Sequence, residues 1–241
     1  MSDAKFALAQ EQNTEKFKTG CKPLDDLLLG GIEKTVITNV YGSSGSGKTN
    51  ITIQAAVSCI KEGKKAAIID TEGGVSVERF AQMHKKEALK DLFIYSAHTF
   101  LEQQQAIKEL EELVKKENIG FIGVDSLVSL YRLHMHNDKV QEANQKLSTQ
   151  LAVLSTISRK NAIPVIVTNQ VYSDFETGDL EVVGGDIPKY ASKCLIRLEK
   201  NDNAKRTATI MKHRTLPEGI SCDFEIVSEG LVAAKKKLGI F

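Results

Sequence analysis

The chain has 241 residues, 41% hydrophobic and 26% charged, enough to bury the core of one large α/β domain or two small ones. A formal net charge of +1 gives no bulk attraction to nucleic acid or membrane, so contact with either would need a local basic patch. Four cysteines without a CxxC pair, no apolar run near the ~18 residues of a membrane span and no secretory signal set aside a disulfide scaffold, a zinc ribbon and a membrane protein, and place the chain in the cytoplasm.

Residues 1–18 are polar and charged and read as an N-terminal arm outside a single core domain, residues 19–241. "CKPLDDLLLGGI" has a proline entry and a Gly-Gly stop, the marks of a short helix. Strand-like and helix-like segments then alternate. "TVITNVY" is a buried strand and residues 48–61 a helix. "KAAIID" is a strand, followed by a helix over "SVERFAQMHKKEAL" that opens at Ser76. "LFIYSA" is a strand, and residues 99–117 are a helix with Ala106, Leu110, Leu113 and Val114 on one face. "IGFIGVD" is a strand, residues 140–161 a long helix with Leu147, Leu151 and Leu154 inward, and "IPVIVTN" a strand. Short apolar runs between amphipathic helices predict a mostly parallel sheet covered on both faces. From about residue 193 the pattern turns to short strands with turn residues between them, "KCLIRLEK", "RTATIMKH", "CDFEIV" and "GLVAAK". These predict an antiparallel C-terminal extension of the same sheet.

The stretch "GSSGSGKT" fits G-x-x-x-x-G-K-[ST] at every fixed position and lies between a strand and a helix. Its glycines let the backbone N–H groups wrap a phosphate, and the helix start adds its positive end. Gly42, Ser43, Ser44, Gly45, Ser46, Gly47, Lys48 and Thr49 are the expected phosphate cradle of a P-loop nucleoside triphosphatase, with Asn50 next in the helix. Lys48 can reach the β- and γ-phosphates and the Thr49 hydroxyl can ligate Mg²⁺. Three other strand ends narrow the chemistry. Asp125 ends "IGFIGVD", where a second carboxylate would complete the Mg²⁺ shell. Asp70 and Glu72 follow "AAIID", where a carboxylate can polarise a water for in-line attack. Gln170 ends "VIVTNQ", where a neutral amide can sense the γ-phosphate.

These strand ends, in this order, resemble the RecA-like ATPases, and more closely the archaeal RadB family of short recombinase paralogues. The resemblance rests on "TGCKPLDDLLLGGI", "YGSSGSGKT", "IDTEGGVSVERF", "VDSLVSLYR", "IPVIVTNQV" and "HRTLPEG", spanning residues 19–219. It implies a RecA-like fold, ATP and Mg²⁺ as ligands, and DNA and other recombination or repair proteins as partners. By position it makes Glu72 the water-activating glutamate and sets Arg79 against the adenine, a use suited to a planar guanidinium. Two loops would face DNA, residues 132–140 with Arg132 and Lys139, and residues 171–186 with Tyr172 and Phe175. The two aromatics can stack on bases or simply pack. The second loop carries Asp174, Glu176, Asp179, Glu181 and Asp186 and no lysine or arginine, so it repels a phosphate backbone. DNA binding would then lean on lysines elsewhere, with Lys189, Lys193, Lys212 and "AAKKKLGIF" as candidates. His134 and His136 have no third partner in view and read as exposed or core side chains rather than metal ligands. Lys212 and Arg214 are a possible finger reaching a neighbour's nucleotide, or else a charge beside their own nucleotide or a surface ion pair. Phe6 and Ala9 have the Phe-x-x-Ala form of the recombinase oligomerisation motif and equally suit an amphipathic arm. The helical N-terminal DNA-binding domain of the longer recombinases has no counterpart here. The expectation is an accessory protein of homologous recombination and repair that binds ATP and DNA and hydrolyses ATP weakly. The alternatives are a full strand-exchange recombinase with DNA-stimulated turnover and an ATP-gated adaptor that binds protein.

Overall fold

The computed structural model describes residues 15–135, 140–173, 180–201 and 204–235. Strand β1 (Lys16–Phe17) pairs antiparallel with β2 (Ile32–Glu33), and α1 (Lys22–Leu27) lies between them with proline in its first turn. The chain therefore joins the core earlier than the arm drawn at residues 1–18. Phe17 is 3% exposed and stacks on Phe121 at 5.8 Å, and burying that ring outweighs the polar residues around it.

Next come β3 (Ile37–Gly42), α2 (Lys48–Lys61), β4 (Lys65–Asp70) and α3 (Val77–Met83). They are followed by a 3-10 helix (Lys86–Asp91), β5 (Leu92–Ser96), α4 (Phe100–Lys116), β6 (Ile119–Asp125), α5 (Ser129–His134) and α6 (Val140–Asn161). The chain continues through β7 (Val165–Asn169), β8 (Val171–Ser173), β9 (Leu180–Val182) and α7 (Asp186–Ala191). It closes with β10 (Cys194–Lys200), β11 (Lys205–Lys212), β12 (Ser221–Val227) and β13 (Gly230–Ala233).

One nine-stranded sheet runs in the order β13-β12-β11-β10-β3-β7-β6-β4-β5. The strands from β10 to β5 are parallel, and β11, β12 and β13 extend the sheet antiparallel from β10. This is the α/β architecture expected. Alternate side chains divide the core in two. Val40, Ile68 and Ile166 pack under α1, α2 and α3, while Ile37, Ile69 and Val167 pack under α4, α5 and α6. Buried Gln103 of α4 joins that second layer by donating to the Leu127 carbonyl and to Gln150 of α6.

Three local differences from the sequence reading have physical causes. The helix expected to run on from Ser76 through "HKKEAL" stops at Met83, because His84 is extended and the chain turns through the 3-10 helix to reach edge strand β5. Ser76 caps α3 as expected, accepting from the Arg79 N–H at 3.0 Å. The segment after Gln170 is not wholly a loop: β8 and β9 form a hairpin, and α7 tolerates Pro188 because it falls in the first turn.

Candidate functional site

Parallel strands deliver their carboxyl ends to one rim of the sheet, and the register aligns five of them. Tyr41 sits opposite Asn169, Gly42 opposite Leu198, and Asp70 opposite Asp125. A cleft of about 540 Å³ opens above this rim, within the range of a small-ligand site. The predicted Gly42, Lys48, Thr49, Glu72, Asp125 and Gln170 all line it.

The phosphate loop leaves β3 at Gly42 and enters α2 at Lys48. Gly47 sits at φ +106°, a left-handed conformation that only glycine adopts cheaply, and it lets the N-terminus of α2 point into the cleft. Lys48 Nζ donates to the Gly42 and Ser43 carbonyls at 2.9 and 3.0 Å. Burial pushes its pKa down, against the attraction of Asp125 and Glu72. The Ser46 hydroxyl is buried with no hydrogen-bond partner. Such an orphaned polar atom in a glycine loop at a helix N-terminus suits an oxyanion.

Asp125 is 4% exposed. It accepts a short hydrogen bond from Thr168 Oγ1. Burial pushes its carboxyl group up. Hydrogen bonds from Thr168 and Thr49 oppose that shift, and the nearby Glu72 and Asp70 add to it. A buried carboxylate beside a threonine hydroxyl and further negative charge is a hard oxygen site for a divalent cation. Among the described residues no three His, Cys, Asp or Glu side chains converge as a metal cage.

The structure separates the two acids of "DTEGG". Asp70 Oδ1 accepts the N–H groups of Glu72, Gly73 and Gly74 at 3.1, 2.9 and 3.3 Å, and Oδ2 accepts that of Val75 at 3.0 Å. Its carboxylate shapes the turn, whereas Glu72 lines the cleft. Glu72 Oε1 accepts from Ser126 Oγ at 2.6 Å and from Gln170 Nε2 at 2.9 Å. Gln170 Oε1 in turn accepts from Arg132 Nη1 at 3.3 Å. A line of hydrogen bonds thus runs from the cleft through Gln170, at the foot of β8, to Arg132 on α5.

Arg79 borders the cleft rather than lining it. Its Nε donates to Asn50 Oδ1 at 2.7 Å, and its two Nη atoms donate to Gln82 and to the Ser228 and Val227 carbonyls. All these bonds lie at the edge of the guanidinium. Arg206 and Ile226 also line the cleft, and no sequence signal pointed to either.

Sequence comparison adds an independent line. A model of the Rad51 family matches residues 10–234. Proteins named "DNA repair and recombination protein RadB" are similar over most of their length. The one from Methanococcoides burtonii is 43% identical over 221 residues, covering 90% of this chain and 97% of the relative. The one from Methanosphaera stadtmanae is 41% identical over 216 residues, covering 87% and 92%. The chain belongs to the RadB group of the Rad51 family. A crystal structure described as that of the RadB recombinase superposes with a TM-score of 0.79 at 36% identity, covering 91% of this chain and all of that one.

Other residues singled out on RadB resemblance are placed as follows. Tyr172 is 48% exposed on β8. Lys139, Phe175, His136, Phe6 and Ala9 lie outside the described residues. His134 packs its ring on Phe100 with centroids 5.3 Å apart, as a structural histidine. Lys212 pairs with Leu195, at the opposite end of β10 from the cleft, so neither it nor Arg214 sits beside its own chain's phosphate loop. Lys212 Nζ donates to the Lys189 and Ser192 carbonyls at the C-terminal end of α7. Arg214 donates through Nε and Nη2 to Glu33, which is buried. Among the described residues no helix is long and apolar enough to cross a membrane.

Proposed function

We propose that this chain is an Mg²⁺- and ATP-binding accessory protein of homologous recombination and DNA repair, with weak ATP hydrolysis and no strand exchange of its own. The observation that carries it is the hydrogen-bonded line from Glu72 through Gln170 to Arg132, which ties a phosphate-type cleft to both segments assigned to DNA. Thr49 and Asp125 would hold Mg²⁺, which supplies charge neutralisation for the phosphates. Lys48 would leave the Gly42 and Ser43 carbonyls for phosphate oxygens. Glu72 would accept a proton from water at its carboxylate, and Gln170, released from Glu72, would report the terminal phosphate to β8. Arg79 would offer a face to the base. DNA and other repair proteins are the partners this reading requires, with Arg132 and exposed Tyr172 as contacts.

The placement of Lys212 and Arg214 supports the weak-turnover reading. Arg214 and Lys212 are engaged at the far end of the sheet, so a single chain cannot bring them to its own cleft. The acidic residues 174–186 argue against efficient strand exchange. A second surface favours self-association. Edge strand β5 and α4 frame an apolar groove of about 440 Å³ lined by Ile94, Tyr95, Ala106 and Leu110, suited to anchors such as Phe6 and Ala9 of a second copy.

The test is ATP hydrolysis with and without single-stranded DNA, with Lys48→Ala and Glu72→Gln as controls. Slow turnover indifferent to DNA, beside tight ATP binding, supports the accessory role. Strong stimulation by DNA that both substitutions abolish would replace it with strand exchange.

A further inference from the structure

The C-terminal extension does more than widen the sheet. Strands β11 and β12 stand on the side of the phosphate loop away from Glu72 and Gln170, and they contribute Arg206 and Ile226 to the cleft wall. Arg206 is 8% exposed. Its Nε donates to the Gly45 carbonyl at 3.2 Å, and its Nη1 to the Lys205 carbonyl at 2.9 Å. Ile226 closes on the other shoulder of the loop, where a Cβ on Gly47 would come within 2.9 Å of its Cδ1.

Gly45 is the apex of the loop. It sits at φ +72° with open space where a Cβ would stand, and the Arg206 side chain is bonded to its carbonyl. A carbonyl free to turn toward a bound phosphate would present its negative end to an anion. Arg206 guards against this by holding the Gly45 carbonyl. A charge-assisted bond in a largely buried setting is strong enough to bias such a flip.

We infer that Arg206 is a positioning residue of the phosphate loop, fixing the Gly45 carbonyl so that affinity for the phosphates of a nucleoside di- or triphosphate depends on β11. This rests on the nucleotide reading of the cleft. Arg206 approaches the loop on the side away from Glu72 and Gln170, so it serves di- and triphosphate alike.

The experiment is calorimetric titration of the full chain with MgATP and with MgADP, well below its melting temperature, for wild type, Arg206→Met, Arg206→Lys and Lys48→Ala. Amide ¹H–¹⁵N spectra of the nucleotide-free proteins accompany it. R206M is expected to weaken both nucleotides roughly tenfold and to shift the Gly45 and Ser46 amides, with R206K recovering part of the loss. A purely structural role would lower melting temperature without moving affinity or those amides. Affinities of R206M within about twofold of wild type for both ligands, or a loss confined to ATP, would overturn the inference. Should R206M fail to fold, R206K carries the same test, and unchanged affinities and amides there would overturn it. Wild type that binds neither nucleotide, or K48A that binds as wild type does, would instead defeat the nucleotide reading itself.

Discussion

Replacing Asp125 with asparagine should stabilise the empty protein while removing its response to Mg²⁺ and nucleotide. The carboxylate is buried and burial pushes its pKa up, with Glu72 and Asp70 adding to the shift. Lys48 does not cancel this cost, because its own pKa is pushed down by burial in the same cleft. Asparagine keeps an oxygen to accept from Thr168 and sheds the charge. Relief of that kind at a functional site amounts to about 1–2 kcal/mol, and a chain of this size gains roughly 2–4 °C in melting temperature per kcal/mol. The sign with pH follows from the raised pKa. The carboxyl group imposes no differential cost below the ordinary aspartate value, and its cost grows as pH rises toward and through the folded-state value. The advantage of D125N should therefore vanish near pH 3 and grow as pH rises above the ordinary aspartate value. Nucleotide with Mg²⁺ at a hundred times its Kd should add about 2.7 kcal/mol to wild type and far less to D125N. Differential scanning fluorimetry across pH, with and without ligand, measures both. Empty D125N that melts below wild type at pH 7 would refute the account, since the charge would then be stabilised where it sits.

Three further outcomes follow from the same geometry. Asp70→Ala removes the acceptor of four backbone N–H groups and should cost about 2 kcal/mol, whereas Glu72→Ala should leave the thermal melt of the empty protein nearly unchanged; equal melts for the two would contradict their separation into turn-former and chemical group. Arg214→Met leaves Glu33 buried beside a lost partner and should cost about 2 kcal/mol, with Glu33→Gln in the double variant recovering much of it; a cycle without coupling would show the pair to be idle. Burial pushes Cys21 up to about 11 and Cys59, Cys194 and Cys222 up to about 12. No thiol should therefore react with a disulfide reagent in the first minutes at pH 7.5, and all should react after denaturation; prompt labelling of the native chain would count against buried thiols.

Much of the architecture was legible because it is written in local patterns. Apolar runs such as "IGFIGVD" have no polar face to spare, which places them in a sheet covered on both sides. The phosphate loop is legible because its glycines and Lys48 stand at fixed spacing within a few residues. Legibility fails where the cause is a distant backbone. Asp70 and Glu72 look alike as strand-end acids; family resemblance favoured Glu72, and the four N–H groups folded over Asp70 give the physical reason they differ. Arg206 gives no signal because its partner, Gly45, is 161 residues away and meets it only through the register of an antiparallel strand. Helices α5 and α7 are six residues each, too short for periodicity to declare itself.

The placement of charge along the sheet gives the molecule a polarity with consequences for assembly. The cleft-lining Lys48, Thr49, Glu72 and Asp125 gather at one end of the parallel strands, while Lys212 and Arg214 lie at the other. Any contact between copies that joined these two ends would match unlike surfaces, so both partners would keep one end unused. Such a contact propagates instead of closing, unless its rotation happens to complete a ring. The length of the resulting array would then be set by concentration or by a capping protein rather than by symmetry.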